Sequence, residues 1–319
     1  MVLFGEGQEG IVARMSTSSS KNRIVICHFS DLHLVPDRPI DWSRLLSKRA
    51  LGFANLKFNR GRTHKEEFLM RLMAEVAKEN ADCTLVTGDF TSLALDFEFE
   101  KISRMFRLAG LKPERTMVLP GNHDRYTRAA DTRRAFERGM SDWLPEGFAT
   151  RGQYPLVRHL GNVCLIGMDT AVWRGPVRAA GEVDTASVSR MGAILNSPEN
   201  RSQMHVIAMH HPPFRRSDGV LKDFRTGLVG WKRMLRVIPG NALILHGHTH
   251  VASRRRDGRF DIVGVPSASN NTGNDATQLA YNKYSIEADG AYVVEAVRFR
   301  PTADGREIRS ERTVMPDSY

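Results

Sequence analysis

The sequence predicts an α/β fold. Two features carry that expectation: short β-rich apolar runs alternate with helical patterns, and most of those runs end in polar residues. Strands that finish together in this way bring polar side chains to one edge, where open α/β sheets bind their ligands.

The strand candidates are RIVICHF (23–29), DCTLVTG (82–88), TMVLPG (116–121), VCLIGM (163–168), HVIAMH (205–210) and ALILHG (242–247). Between the first two runs THKEEFLMRLMAEVAKEN, a helix. Thr63 and Glu66 form a capping box, and Phe68, Leu69, Leu72, Met73 and Val76 make one apolar stripe. A second helix covers about 96–109 and stops at Gly110, with Pro113 beyond. Further helices are expected near 128–139, 185–195 and 228–237. The tail, 259–319, reads as strands with a turn at Asp289-Gly290. The basic cluster SRRRDGRF at 253–260 reads as a hairpin turning at Asp257-Gly258 with a solvated face.

Residues 1–21 read as a flexible N-terminal extension and 22–319 as a single domain. The stretch 36–62 is a long insertion after the first strand, rich in Arg and Lys, with Trp42, Leu45, Leu46 and Phe53 interleaved. Two readings stay open for it: a surface amphipathic helix with a solvated basic face, or a cap that contacts substrate.

The bulk properties exclude several classes. No run approaches the length of a membrane span. The first residues lack a basic start and carry glutamates, unlike a secretion signal. Cys27, Cys83 and Cys164 sit inside apolar runs and are odd in number, which argues against a disulfide framework and for the cytoplasm. Lys and Arg number 46 against 36 Asp and Glu, a formal +10 that favours anionic partners.

The polar strand ends carry the chemistry. After the first strand comes SDLH, with Asp31 and His33; after the second GDF, with Asp89; after the third GNHD, with Asn122, His123 and Asp124. HHPP supplies His210 and His211, and HGHTH supplies His246, His248 and His250. The fourth strand ends in GMDT, whose Asp169 either joins this group from behind or starts a turn. Each piece is weak alone, but five together at strand ends, in metal-ligating residue types, are not a chance pattern.

The order D-x-H, G-D, G-N-H-D, H-x-P, G-H-x-H resembles the calcineurin-like metallophosphoesterase superfamily over residues 24 to 252. That resemblance implies a four-layer α/β/β/α sandwich with two mixed β-sheets and a two-metal centre. It assigns Asp31, His33 and His250 to one metal, Asn122, His210 and His248 to the other, and Asp89 to both. It implies hydrolysis by a metal-bridging hydroxide, with His123 assisting the leaving oxygen. Asp124 would orient the His123 ring or cap the following helix. The family's ligand is the histidine two before proline, which selects His210 and leaves His211 and His246 beside the site. His28 reads as a core or inter-sheet histidine; His64, His159 and His205 read as structural or surface residues. Nitrogen and oxygen donors without thiolate suit two divalent or trivalent ions, Mn or Fe first, with Zn or Co as alternatives.

SDLHL, GNHD and HHPPF are similar to the branch that holds class III cyclic-nucleotide phosphodiesterases and glycerophosphodiesterases. A small phosphorylated substrate, a phosphodiester, is therefore expected, with Arg125, Arg215 and Arg216 on loops rimming the site. The insertion suggests a second class: a lipid-linked pyrophosphate or glycerophospholipid, met at a membrane surface through 36–62. Nucleic acid ranks third, since only Trp42, Phe53 and Phe58 offer stacking there. A catalytically silent metal-binding scaffold is the remote alternative, opposed by the complete ligand set. Oligomers are common in this branch, and the C-terminal strands are a candidate homo-oligomer interface.

Overall fold

A computed structural model describes residues 23–34, 36, 66–175, 178–214, 220–256, 258–302 and 307–317. In chain order its elements are β1 (Arg23–Phe29), α1 (Glu66–Lys78), β2 (Cys83–Val86), α2 (Asp96–Leu108), β3 (Thr116–Val118), α3 (Arg128–Thr132), α4 (Ala135–Gly139), β4 (Leu156–Leu160), β5 (Val163–Gly167), β6 (Gly181–Glu182), α5 (Thr185–Asn196), β7 (Met204–Met209), α6 (Val220–Thr226), β8 (Leu228–Val229), α7 (Trp231–Val237), β9 (Ala242–His246), β10 (Ser253–Arg256), β11 (Phe260–Gly264), β12 (Ala280–Glu287), β13 (Tyr292–Pro301) and β14 (Ile308–Val314).

Two six-stranded sheets organise them, in the orders β14-β13-β12-β1-β2-β3 and β10-β11-β9-β7-β5-β4. Both are mixed. In the first, β1, β2 and β3 are parallel while β12, β13 and β14 run antiparallel beyond β1. In the second, β11, β9, β7 and β5 are parallel and the edges β10 and β4 are antiparallel. This is the two-sheet architecture that the family resemblance implies.

Alternation along the strands explains why their sequences are apolar throughout. Leu165, Val206, Ala208, Leu243, Leu245 and Val263 point inward, into one core with Phe29, Leu85 and Tyr284 of the first sheet. Their neighbours Cys164, Ile166, Ile207, Met209, Ile244 and Ile262 point outward and bury against Val188, Met191 and Leu195 of α5 and Met234 of α7. A strand covered on both faces leaves no position for a polar residue until it ends. The α1 stripe packs as its spacing predicts, with Phe68, Leu69, Leu72, Met73 and Val76 all buried. Each such side chain contributes about 1.5–3 kcal/mol on burial.

Several expectations change. The helix expected at 128–139 is two short helices, because Arg134 adopts a left-handed φ of 53° and breaks the hydrogen-bond ladder between them. Strand β4 and helix α6 were not anticipated, and the helix near 228–237 begins only at Trp231, after the short strand β8. The 253–264 hairpin forms, but its basic face is not wholly solvated. Arg254 is buried against Asp261, with Nη2 to Oδ2 at 2.7 Å, and Nη1 donates to the Met315 carbonyl at 2.8 Å. His28 is a core histidine between Thr87 and Tyr284, and His159 and His205 both bond to Asn200. The extension 1–21, the Thr63 cap, His64, Asp257, Arg215, Arg216 and all of 36–62 but Pro36 lie outside the described residues.

Candidate metal centre

The carboxyl ends of β1, β2, β3, β7 and β9 converge. Backbone bonds lock their loops together: Asp31 N–H donates to Gly88 O and His33 N–H to Asp89 O, both at 2.9 Å, and Gly247 N–H donates to His210 O at 3.1 Å. The approach is too close for side chains at two points. A Cβ on Gly121 would sit 2.2 Å from Asp89 Oδ1, and one on Gly247 would sit 2.1 Å from Ser30 Oγ and 2.6 Å from Asp31 Oδ2. Asp31, His33, Asp89, His248 and His250 all carry positive φ, between 45° and 64°. Such backbone costs free energy in non-glycine residues and concentrates at functional sites.

These loops gather one set of donor atoms. His250 Nε2 lies 2.9 Å from His33 Nε2 and 3.1 Å from Asp31 Oδ1. On the other side, His210 Nε2 lies 3.1 Å from Asn122 Oδ1 and 3.2 Å from His248 Nδ1. Asp89 Oδ2 stands between the two groups, 3.7 Å from His33 Nε2 and 3.5 Å from His210 Nε2. The two carboxylates are held alike. Asp89 Oδ1 accepts the His123 N–H at 2.7 Å and Asp31 Oδ2 accepts the His248 N–H at 2.9 Å, which aims the remaining oxygen of each into the cluster.

Backbone carbonyls set the imidazole tautomers. His210 Nδ1–H donates to Thr87 O at 2.7 Å, His248 Nε2–H to Thr226 O at 3.0 Å and His123 Nδ1–H to Ser92 O at 2.9 Å. A carbonyl only accepts, so each ring is protonated on that nitrogen, which fixes its tautomer when neutral. For His210 and His248 the other nitrogens, Nε2 and Nδ1, face each other.

Asp31 Oδ1 is fully buried and accepts no hydrogen bond. Nitrogen, amide oxygen and carboxylate oxygen atoms thus crowd together, 2.9 to 3.7 Å apart. That arrangement is repulsive unless positive charge is placed among them, and the donor set fits a metal cation. The electrostatics agree. Burial pushes the His210 imidazole down, yet the Asp89 carboxylate beside it carries the group up to about 9. Asp89 is opposed by its burial but held well below the usual carboxylate range by His210, His123 and His33.

Not every histidine joins. His211 donates from Nε2 to Ala179 O at 2.9 Å, and its Nδ1 accepts from Thr170 Oγ1 at 2.9 Å, so both nitrogens are occupied by protein. Although it stands within reach of His210 and His248, it is a pillar behind them. Burial, then the nearby His210 charge, hold it neutral, down to about 3. His246 is buried one strand position away, with Nδ1 bonded to Gly247 O at 2.9 Å. Asp169 starts a turn through Ala171 N–H and pairs with Arg125 and Arg151.

Two expected residues have other roles. Arg125 does not reach the rim: it is buried in a cluster with Glu137 at 2.5 Å, Asp169 at 2.8 Å and Asp131 at 3.3 Å. Asp124 neither orients the His123 ring nor caps the next helix, whose cap is Thr127. Its carboxylate instead accepts from the N–H groups of Phe90, Thr91 and Gly121 and from Thr91 Oγ1, tying the GDF and GNHD loops together. Burial, then the neighbouring Asp89, push it up to about 7. The His123 ring is steadied by Tyr126, stacked at 5.1 Å and 16°, and meets His33 edge-on at 4.7 Å. The carbonyls of Ser92, Thr87, Thr226 and Ala179 could not be read from residue types, since any residue supplies one.

A two-sheet sandwich with this donor set at one edge defines a metal-binding phosphoesterase. The model of the calcineurin-like phosphoesterases matches residues 24–252, and the chain belongs to that family. Its fold is similar to that of a dimetal phosphatase from Danio rerio, at TM-score 0.57 and 11% identity over 90% of this chain and 98% of that one. It is also similar to a purple acid phosphatase from seeds of yellow lupin, Lupinus luteus, at TM-score 0.58 and 11% identity over 91% of this chain and 53% of that one. At that identity the likeness concerns the fold. No curated protein sequence matches the chain.

Proposed function

We propose that the chain is a binuclear metal-dependent phosphodiesterase. The observation that carries this reading is the position of Asp89 Oδ2, between two groups of metal-ligating residue types. Asp31, His33 and His250 would hold one cation and Asn122, His210 and His248 the other, with Asp89 serving both. When bound, the pair supplies positive charge for the phosphoryl oxygens and for activating water. The chain supplies the rest. Imidazoles and one amide would complete the ligand shells while adding no negative charge that would repel phosphate. His123, its Nδ1–H committed to Ser92 O, keeps Nε2 for passing a proton to the leaving oxygen. Mn or Fe suits these donors, with Zn or Co as alternatives.

The diester preference rests on the likeness of SDLHL, GNHD and HHPPF to the phosphodiesterase branch. A second reading, an amphiphilic phospholipid or lipid-linked pyrophosphate, gains support from one observation. Phe224 and Trp173 are exposed at 58% and 38%, on the segments whose Thr226 and Ala179 carbonyls hold His248 and His211. The Arg178 guanidinium lies 4.1 Å over the Phe224 ring, so basic and aromatic groups border the site together. Among the described residues no helix is long and apolar enough to cross a membrane. The three cysteines are free and buried, in keeping with the proposed cytoplasmic setting.

Turnover of bis-p-nitrophenyl phosphate against p-nitrophenyl phosphate, with Mn²⁺, tests this reading. The diester should be preferred, and His123→Ala should slow a diester with an unactivated alkyl leaving group by ~10²–10⁴-fold. Equal turnover of both, or monoester preference, would exclude a phosphodiesterase. Metal uptake without turnover of either would move the amphiphilic substrate forward.

A further inference from the structure

Glu98 has no part in the metal centre, yet it is a wholly buried carboxylate in the first turn of α2. Its partners are backbone groups. Oε1 accepts the Ser92 N–H at 2.9 Å, Oε2 accepts the Leu95 N–H at 2.8 Å, and the Leu93 N–H lies 3.3 and 3.2 Å from the two oxygens. The loop between β2 and α2 is wrapped around this carboxylate, with Ala94 turned to a φ of 55°. Burying an anion without a cation is costly, and the ring of N–H donors offsets only part of that cost, since burial still carries the carboxyl up to about 7.

The Leu93 nitrogen belongs to the same peptide unit as the Ser92 carbonyl. That unit is therefore gripped on both sides: Glu98 accepts from its N–H, and its C=O accepts the His123 Nδ1–H at 2.9 Å. A hydrogen bond from an amide N–H to a carboxylate pushes electron density onto the amide oxygen and makes it a stronger acceptor. The other end of the loop is pinned by Asp124 through Phe90 and Thr91, so the Ser92 carbonyl has little freedom to turn away.

We infer that Glu98 is a positioning residue for His123, acting through the Ser92–Leu93 peptide as a carboxylate–peptide–imidazole chain. The chain fixes the orientation of the His123 ring, and with it the aim of the nitrogen that would serve the leaving oxygen. Glu98 thus does at one peptide's remove what a carboxylate does when bonded directly to a catalytic histidine. This rests on the proton-donating role proposed for His123.

Leaving-group dependence tests it. An activated p-nitrophenolate needs no proton, whereas a phenolate or alkoxide does. The Mn²⁺-loaded enzyme would be assayed on a series of aryl and alkyl methyl phosphates, as wild type, Glu98→Gln, His123→Ala and the double variant. Glu98→Gln should lower kcat for the poorest leaving groups by ~10-fold or more, change p-nitrophenyl turnover by less than ~2-fold, and leave KM and metal content as they were. In the His123→Ala background, Glu98→Gln should not steepen the dependence further.

The outcomes separate the two claims. If His123→Ala leaves the dependence unchanged, the role of His123 fails and this inference falls with it. If His123→Ala steepens it and Glu98→Gln does not, only the inference is overturned. Equal slowing of all leaving groups with loss of metal would show a purely structural role and overturn it too. Glu98→Asp keeps the charge but draws it back by one methylene; it is the variant to read if Glu98→Gln does not fold, and an unaltered dependence there is equally fatal.

Discussion

His210 is specified from both ends of its ring: the Thr87 carbonyl holds one nitrogen, and the other faces Asn122, His248 and Asp89. His211, next in sequence, has both nitrogens spent on Thr170 and Ala179. Replacing them should therefore have different consequences. His210→Ala should remove one metal outright, whereas His211→Ala should weaken metal affinity by ~10–100-fold by freeing the loop behind His248. Titration with Mn²⁺ would check this, and equal loss in both variants would contradict the distinction. Residue types at strand ends made the converging donor cluster legible, and the family resemblance assigned its members to the two proposed cations. Arg125 was not legible in the same way. Its place was decided by carboxylates 6, 12 and 44 residues further along the chain, which no local pattern reports.

At the scale of elements, the site depends on how closely the strand-end loops approach. Gly247 passes against Ser30 and Asp31 with no room for a methyl group. Gly247→Ala should therefore push the His248–His250 turn outward while β9, whose apolar residues are untouched, stays in its sheet. The expected result is a native circular dichroism spectrum with most of the bound metal lost; native metal content would contradict it. Strands buried on both faces were legible as continuous apolar runs. The edge strand β4, Leu156–Leu160, mixes Val157 with Arg158 and His159, which are only partly buried, and so left no such run. The break between α3 and α4 left no sign because Arg134 is an ordinary helix-forming residue, held in its left-handed conformation by the surrounding structure.

For the whole molecule, the sandwich fixes a histidine between its layers. His28 is buried on β1 against Thr87 and Tyr284. Burial, then the charge on His246, push it from 6.5 down to about 3. The unfolded chain therefore takes up a proton as pH falls below 6.5 and the native chain does not. His28 contributes stability that is complete above pH 6.5 and is lost towards pH 3, at about 1.4 kcal/mol per pH unit. His28→Gln should flatten the fall of the urea midpoint between pH 6.5 and 4, whereas parallel curves for the two proteins would contradict this. The sheets also bring five strand ends together, where the proposed function places two cations around Asp89. Metal content by mass spectrometry, on protein loaded with Mn²⁺ and desalted, tests it most directly. The account predicts about two ions per chain, falling to one or fewer in Asp89→Ala with the fold retained. Wild-type protein that binds no stoichiometric metal, or an Asp89→Ala variant that keeps both ions, would contradict it.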